Sequence, residues 1–169
     1  KYEYADSLDI DARDANDANQ PAAARTVRQD PARLYRTADL KKTTIAQCAQ
    51  AVSEAVVKVS SPAGTGSGFF INEQGYLITN YHVIERETKI EVTMFAKAKN
   101  GFEKKRFRKV KIEAINPFVD LALLKVEDLG GAETKFVYLG DMERVKVGED
   151  VFAVGNPLGL ERTVTNGVI

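Results

Sequence analysis

The sequence predicts an all-β protein, on three observations. After Ser53 the apolar residues recur at every second position, the period of a half-buried strand and not of a helix. The runs are short and are separated by Gly, Pro and Asn-Gly turn signals. Nothing between them leaves room for the crossover helices of a βαβ arrangement.

The elements follow in chain order. Residues 1 to about 36, including "SLDIDARDANDANQPAAARTVRQDPAR", are rich in Ala, Asp, Asn and Arg and poor in large apolar side chains. Such a segment buries too little apolar surface to offset the entropy of ordering, so it reads as a mobile arm or linker. Its Asp run is not a calcium loop of the EF-hand kind, which needs a glycine at its sixth position and a glutamate at its twelfth. From about 38 to 53, Leu40, Ile45, Cys48, Ala49 and Val52 fall at helical spacing and predict a short amphipathic helix. Cys48 lies on its apolar face and reads as a buried, inert thiol, since no neighbouring cation would lower its pKa.

Strands are predicted at "AVVKVS" (55–60), "GSGFFIN" (66–72), "YLITN" (76–80), "KIEVTMF" (89–95), "FRKVKIEAI" (107–115) and "LALLKVE" (121–127). In the fourth, Ile90, Val92 and Met94 alternate with Glu91, Thr93 and Phe95. In the fifth, Val110, Ile112 and Ala114 alternate with Lys109, Lys111 and Glu113. Six such strands in about 75 residues fit a barrel or sandwich. Residues 128–148 read as a connection carrying one short strand, after which "EDVFAVGNPLG" and "RTVTNGVI" open new strands. The expected division is an arm at 1–37, a short helix and a first set of strands at 38–127, and a connection with opening strands of a further unit at 128–169. The chain starts on Lys1 and ends on Ile169 in mid-strand, as expected of a piece of a longer protein.

Composition excludes several classes. The 169 residues carry a formal net charge of zero, so nothing draws the whole chain to nucleic acid or acidic membranes. No apolar run reaches the ~18 residues needed to cross a bilayer, and these 169 residues, which begin on Lys1 and not on methionine, show no signal peptide of their own. The single cysteine rules out an intrachain disulfide and leaves the redox compartment open. One histidine and one distant cysteine make no metal site, and no cofactor is expected.

Two segments invite sharper readings. "GTGSG" (64–68) lacks the Lys-Ser/Thr pair of a phosphate loop, and the third glycine of the dinucleotide fingerprint is misplaced. Its glycines read better as permitting close approach between strands. "KAKNGFEKKRFRKVK" (97–111) holds eight Lys or Arg and one Glu. It reads as a solvated β-hairpin turning at Asn100-Gly101 in preference to a nucleic-acid patch.

The chemistry concentrates on two residues. "GYLITNYHVI" places the only histidine, His82, just past a strand. "INPFVDLALLKV" places Asp120 directly before a strongly apolar strand. A carboxylate at such a junction is expected to be partly buried, which is costly unless it is paired. The sole imidazole is its natural partner. Acyl transfer uses this pair, because a serine hydroxyl needs a base within reach and histidine titrates near neutrality. An Asp that accepts the Nδ1–H fixes the tautomer and turns Nε2 toward the nucleophile.

"GSGFFINEQGYLITNYHVI" resembles the histidine block of the HtrA/Do-like serine endopeptidases, and "NPFVDLALLKV" resembles their aspartate block. "LGDMERVKVGEDVFAVGNPLGLERTVTNGVI" is similar to the segment opening their second barrel. The resemblance runs from about Val56 to Ile169 in the family's order. Val83 stands where vertebrate-type trypsins have a cysteine, which favours the disulfide-free branch.

The resemblance implies a chymotrypsin-like double β-barrel, with the first barrel complete and the second only begun. His82 would be the general base and Asp120 its orienting partner. The family's serine follows both, yet Ser7, Ser53, Ser60, Ser61 and Ser67 all precede His82. The nucleophile is therefore expected outside these residues, and Ser67 is read as a turn or backbone-bonding residue. Further implications are polypeptide substrates in protein quality control, an extracytoplasmic location, a possible homotrimer and a possible downstream PDZ domain. The alternative of another class is a catalytically inactive trypsin-like binding module, which the residue at the serine position would reveal.

Overall fold

The computed structural model describes residues 2–3, 27–28, 34–38, 40, 43–98, 101–155 and 163–169. The Asp run of the expected arm and the 156–162 segment lie outside them. In chain order the elements are β1 (Tyr2–Glu3), β2 (Val27–Arg28), β3 (Thr37–Ala38), α1 (Ile45–Val52), β4 (Val56–Ser61), β5 (Gly64–Phe70) and β6 (Tyr76–Thr79). There follow β7 (Glu91–Ala98), β8 (Gly101–Phe107), β9 (Val110–Asn116), β10 (Leu121–Val126), β11 (Tyr138–Leu139), β12 (Asp150–Gly155) and β13 (Thr163–Val168). The all-β expectation holds.

Seven strands form one antiparallel sheet in the order β8-β7-β4-β5-β6-β10-β9. Its two end strands, β8 and β9, are joined through Arg108 and Lys109 alone. A link that short requires the sheet to curl until its ends meet at that corner. The alternation alone predicts one strand through 107–115. The chain instead bends at Arg108–Lys109, with Phe107 opposite Val92 on one side and Val110 opposite Val126 on the other.

The expected face of β9 also needs correction. Its register against β10 shifts between Leu123 and Leu124, so Ala114 faces Leu123 while Ile112 faces Leu124. Glu113 is the extra residue, and one extra residue moves the following side chains to the other face. Val110 and Ile112 therefore share the Leu124 face, whereas Ala114 does not. β7 departs as well: Thr93 and Phe95 are buried along with Val92 and Met94. The Lys104 ammonium stands 5.9 Å from the centre of the Phe95 ring.

The main core fills the curl of the sheet, with Val57, Val59, Phe70, Leu77, Val92 and Leu124 fully buried. Each such side chain contributes about 1.5–3 kcal/mol relative to exposure. Two glycines of the "GTGSG" run make this packing possible, as the close-approach reading expects. A Cβ on Gly68 would lie 2.9 Å from the Ile78 carbonyl, and one on Gly66 would lie 2.4 Å from Val83 Cγ2.

The helix is shorter than its apolar spacing suggests. Thr44 caps it, its Oγ1 accepting the Gln47 N–H while the Gln47 side chain accepts the Thr44 N–H. Leu40 lies before the helix, and Thr37–Ala38 is strand. Cys48 is only partly buried, because the residues that α1 seals are Ala51 and Val52. Val52, Ala55 and Val137 form a second core with Phe69, Leu139, Phe152 and Val154. This cluster lies between the helix end, β5 and the β11–β12 region.

Residues 34–36 are strapped to the sheet. Asn72 Nδ2 donates to the Leu34 carbonyl at 2.6 Å, Arg36 pairs with Glu73 at 2.8 Å, and Leu139 N–H donates to the Arg36 carbonyl at 3.0 Å. Partial burial pushes the Glu73 carboxyl up, but hydrogen bonds from its own backbone, Arg36 and Gln74 outweigh this and hold it below the usual range. β1 pairs with β11, β2 with β3, and β12 with β13.

In the basic hairpin, Ala98 is opposite Gly101, so the connection is residues 99–100, outside the described residues. Arg108 and Arg106 flank Glu91 at 2.8 and 3.9 Å, and Lys111 pairs with Glu113 at 3.1 Å.

Candidate active site

Strand β6 ends where the Thr79 hydroxyl donates to the Ser67 carbonyl at 2.8 Å. The chain then leaves the sheet through Asn80 into a 3-10 turn, Tyr81–Val83, closed by the Ile84 N–H on the Tyr81 carbonyl at 2.9 Å. Val83 and Ile84 are buried and anchor the turn. His82 lies on the opposite side, with its side chain 68% exposed.

The aspartate comes from a second turn. The Asn116 side chain accepts the Phe118 N–H at 3.2 Å, and Pro117 starts a 3-10 turn, Pro117–Val119. Pro suits that first position because its φ is already helical and it has no N–H to satisfy. Asp120 ends the turn in left-handed conformation, φ 53 and ψ 46. Short polar side chains tolerate this region better than most. β10 then pairs with β6, Ala122 opposite Thr79, which brings the two turns together across 38 residues of sequence.

The contacts are specific. His82 Nδ1 is 2.7 Å from Asp120 Oδ2, and the His82 backbone N–H donates to Oδ1 at 2.9 Å. The Tyr81 N–H donates to the Asp120 carbonyl at 3.2 Å. Asn80 Nδ2 lies 3.2 Å from that carbonyl and 3.1 Å from Oδ2. Asp120 is partly buried as expected, yet its side chain is 43% exposed, so the pair is open to water.

The two sequence-selected residues are therefore in contact. Ser61 donates its hydroxyl to the Val83 carbonyl at 2.9 Å and Ser53 donates to the Gln50 carbonyl at 2.8 Å, both as backbone partners. Ser67 lies within β5 and not in a turn, because β5 runs unbroken from Gly64 to Phe70. Sequence reasoning missed Asn80 and Asn116. The available signal was an amide side chain at each strand–turn junction, where such groups bond locally. Among the described residues, no group of three or more His, Cys, Asp or Glu is placed to hold a metal ion, and no helix is long and apolar enough to cross a membrane.

Two donors from His82, its backbone N–H first and then its imidazole, hold the Asp120 carboxyl below its ordinary value. A carboxyl so depressed adds stability above the pKa of the unfolded chain and loses it as pH falls through the folded pKa. In a carboxyl NMR titration, Asp120 is expected to titrate below ordinary aspartate. A midpoint at or above the ordinary value would contradict the contact.

An imidazole held at Nδ1 by a carboxylate can take a proton from a hydroxyl on Nε2 and return it. A curled antiparallel barrel that carries histidine and aspartate on adjacent turns defines the trypsin-like class. Residues 66–169 match the family described as "Trypsin-like peptidase domain". A "Probable periplasmic serine endoprotease DegP-like" of Rhizobium meliloti is 44% identical over 110 residues, covering 64% of this chain and 19% of the relative. Its namesake in Chlamydia trachomatis is 36% identical over 104 residues, covering 62% and 19%. The solved structure of Deg5 superposes with a TM-score of 0.61 at 36% identity, covering 71% of this chain and 59% of that one. The chain belongs to the trypsin-like peptidase domain family, and within it resembles the DegP-like relatives and Deg5. It spans 19% of the length of these two curated relatives.

Proposed function

We propose that this chain supplies the histidine–aspartate half of a serine endopeptidase acting on unfolded or damaged polypeptides. The observation that carries this reading is the His82–Asp120 contact, 2.7 Å at Nδ1 with the backbone N–H on the other carboxylate oxygen. His82 is the general base and Asp120 orients it. The nucleophilic serine and its oxyanion donors come from sequence outside these 169 residues, since every serine here precedes His82. The division into an arm, a first barrel with its helix, and the opening of a second barrel follows the same reading. Relatives named periplasmic support an extracytoplasmic site of action. A homotrimer and a downstream PDZ domain accompany the family resemblance.

The 169-residue chain is expected to leave unfolded casein intact, because a base without a nucleophile cannot form an acyl-enzyme. The protein extended through its Gly-rich serine motif is expected to hydrolyse it. Hydrolysis by the short chain that disappears in His82→Ala would overturn the division of the site. An inactive extended protein with Gly or Ala at the serine position would overturn the protease reading.

A further inference from the structure

We propose that Asn80 is a positioning residue of this site, its carboxamide locking the Asp120 carboxylate onto His82. The inference rests on the protease reading only for its catalytic consequence. The geometry stands without it.

Asn80 occupies the position before a 3-10 turn, where an Asn side chain ordinarily accepts a hydrogen bond from the turn's free N–H groups. It makes no such bond here. Its Nδ2 points instead at Asp120, 3.1 Å from Oδ2 and 3.2 Å from the carbonyl oxygen. Both of these atoms only accept, so the amide must present its N–H₂ side and the assignment of its two ends follows from chemistry. Two N–H groups with two acceptors on one residue make a clamp.

The clamp has something to hold. Asp120 Oδ1 takes the His82 backbone N–H and Oδ2 takes the Nδ1 of the imidazole. A carboxylate can swap its oxygens by turning about its last bond, and at this exposure water competes for each of them. The Asn80 donor on Oδ2 opposes that rotation, and its donor on the carbonyl stabilises the left-handed backbone of Asp120. Non-glycine residues hold that conformation only when the surroundings over-determine it.

One imidazole in the whole chain makes the test direct, because nitrogen-15 NMR reports the His82 tautomer without overlap. In the 169-residue chain at neutral pH, the Nδ1–H form is expected to dominate. Asn80→Ala is expected to lower the ratio of Nδ1–H to Nε2–H on the order of tenfold, the scale of one charge-assisted hydrogen bond. Asn80→Asp, which keeps the shape and replaces the donor with an acceptor, is expected to lower it at least as far. It also serves as the folded control should the alanine variant unfold. A changed melting temperature with an unchanged tautomer ratio in both variants would overturn the proposal and leave Asn80 a purely structural residue. In the extended protein, Asn80→Ala is expected to lower kcat with KM unchanged. An extended protein that never cleaves, while the tautomer shift is present, would sink the protease reading and leave the clamp standing.

Discussion

If the proposed function holds, replacing Asp120 with asparagine in the extended protein is expected to lower kcat by about 10⁴-fold, on the scale seen for the equivalent change in serine proteases. The substitution keeps the shape of the side chain and removes its charge. The position facing His82 Nδ1 at 2.7 Å would then hold a neutral amide. An amide can turn its N–H₂ toward the ring, which forces the proton onto Nε2, and an Nε2–H cannot accept from a serine. His82→Ala removes the base altogether and is expected to cost on the order of 10⁶-fold. Peptide hydrolysis under saturating substrate separates the two effects from substrate binding. A loss of less than tenfold in either variant would remove His82 and Asp120 from the reaction.

Gly66→Ala is expected to destabilise the fold by roughly 1–3 kcal/mol, the range for overpacking a filled core. The added methyl would sit 2.4 Å from Val83 Cγ2, 3.2 Å from Cγ1 and 3.4 Å from Cβ. Val is stiff about its first side-chain bond, and both of its methyls are in the way. Rotation therefore gives no relief, and either β5 or the Tyr81–Val83 turn must move. Because that turn carries His82, the same substitution is expected to disturb the His82–Asp120 contact. Pairing it with Val83→Ala in a double-mutant cycle should show a favourable coupling, as neighbours sharing one space are not additive. Independent, additive effects in denaturant unfolding would show that Gly66 and Val83 do not compete for it.

The strands were legible because a half-buried sheet writes period two into its sequence. "YLITN" and "LALLKVE" became β6 and β10 with small changes at their ends. Boundaries set by a local bond were harder to see. The helix start at Thr44 depends on a cap that a wider apolar periodicity concealed. The bend at Arg108–Lys109 left no mark in a run that alternates through it, and the shift at Glu113 appears only when β9 is placed against β10. The burial of Phe95, which the alternation sets on the face opposite Val92 and Met94, likewise shows only in the folded chain.

The sequence by itself singled out His82 and Asp120 as the candidate pair. A lone imidazole and a carboxylate at the head of an apolar strand suit each other, one as donor and the other as acceptor. It also determined that no serine follows them. Only the tertiary structure decided how the two meet. The β6–β10 register sets Thr79 opposite Ala122 and so lays one turn beside the other. Asp120 accepts from both His82 nitrogen donors, Asn80 holds the carboxylate from the side, and Gly66 leaves the room that Val83 fills. The chemistry of a side chain is written at its own position. Its reach depends on strand pairing between residues far apart in the chain, and that is a property of the folded sheet.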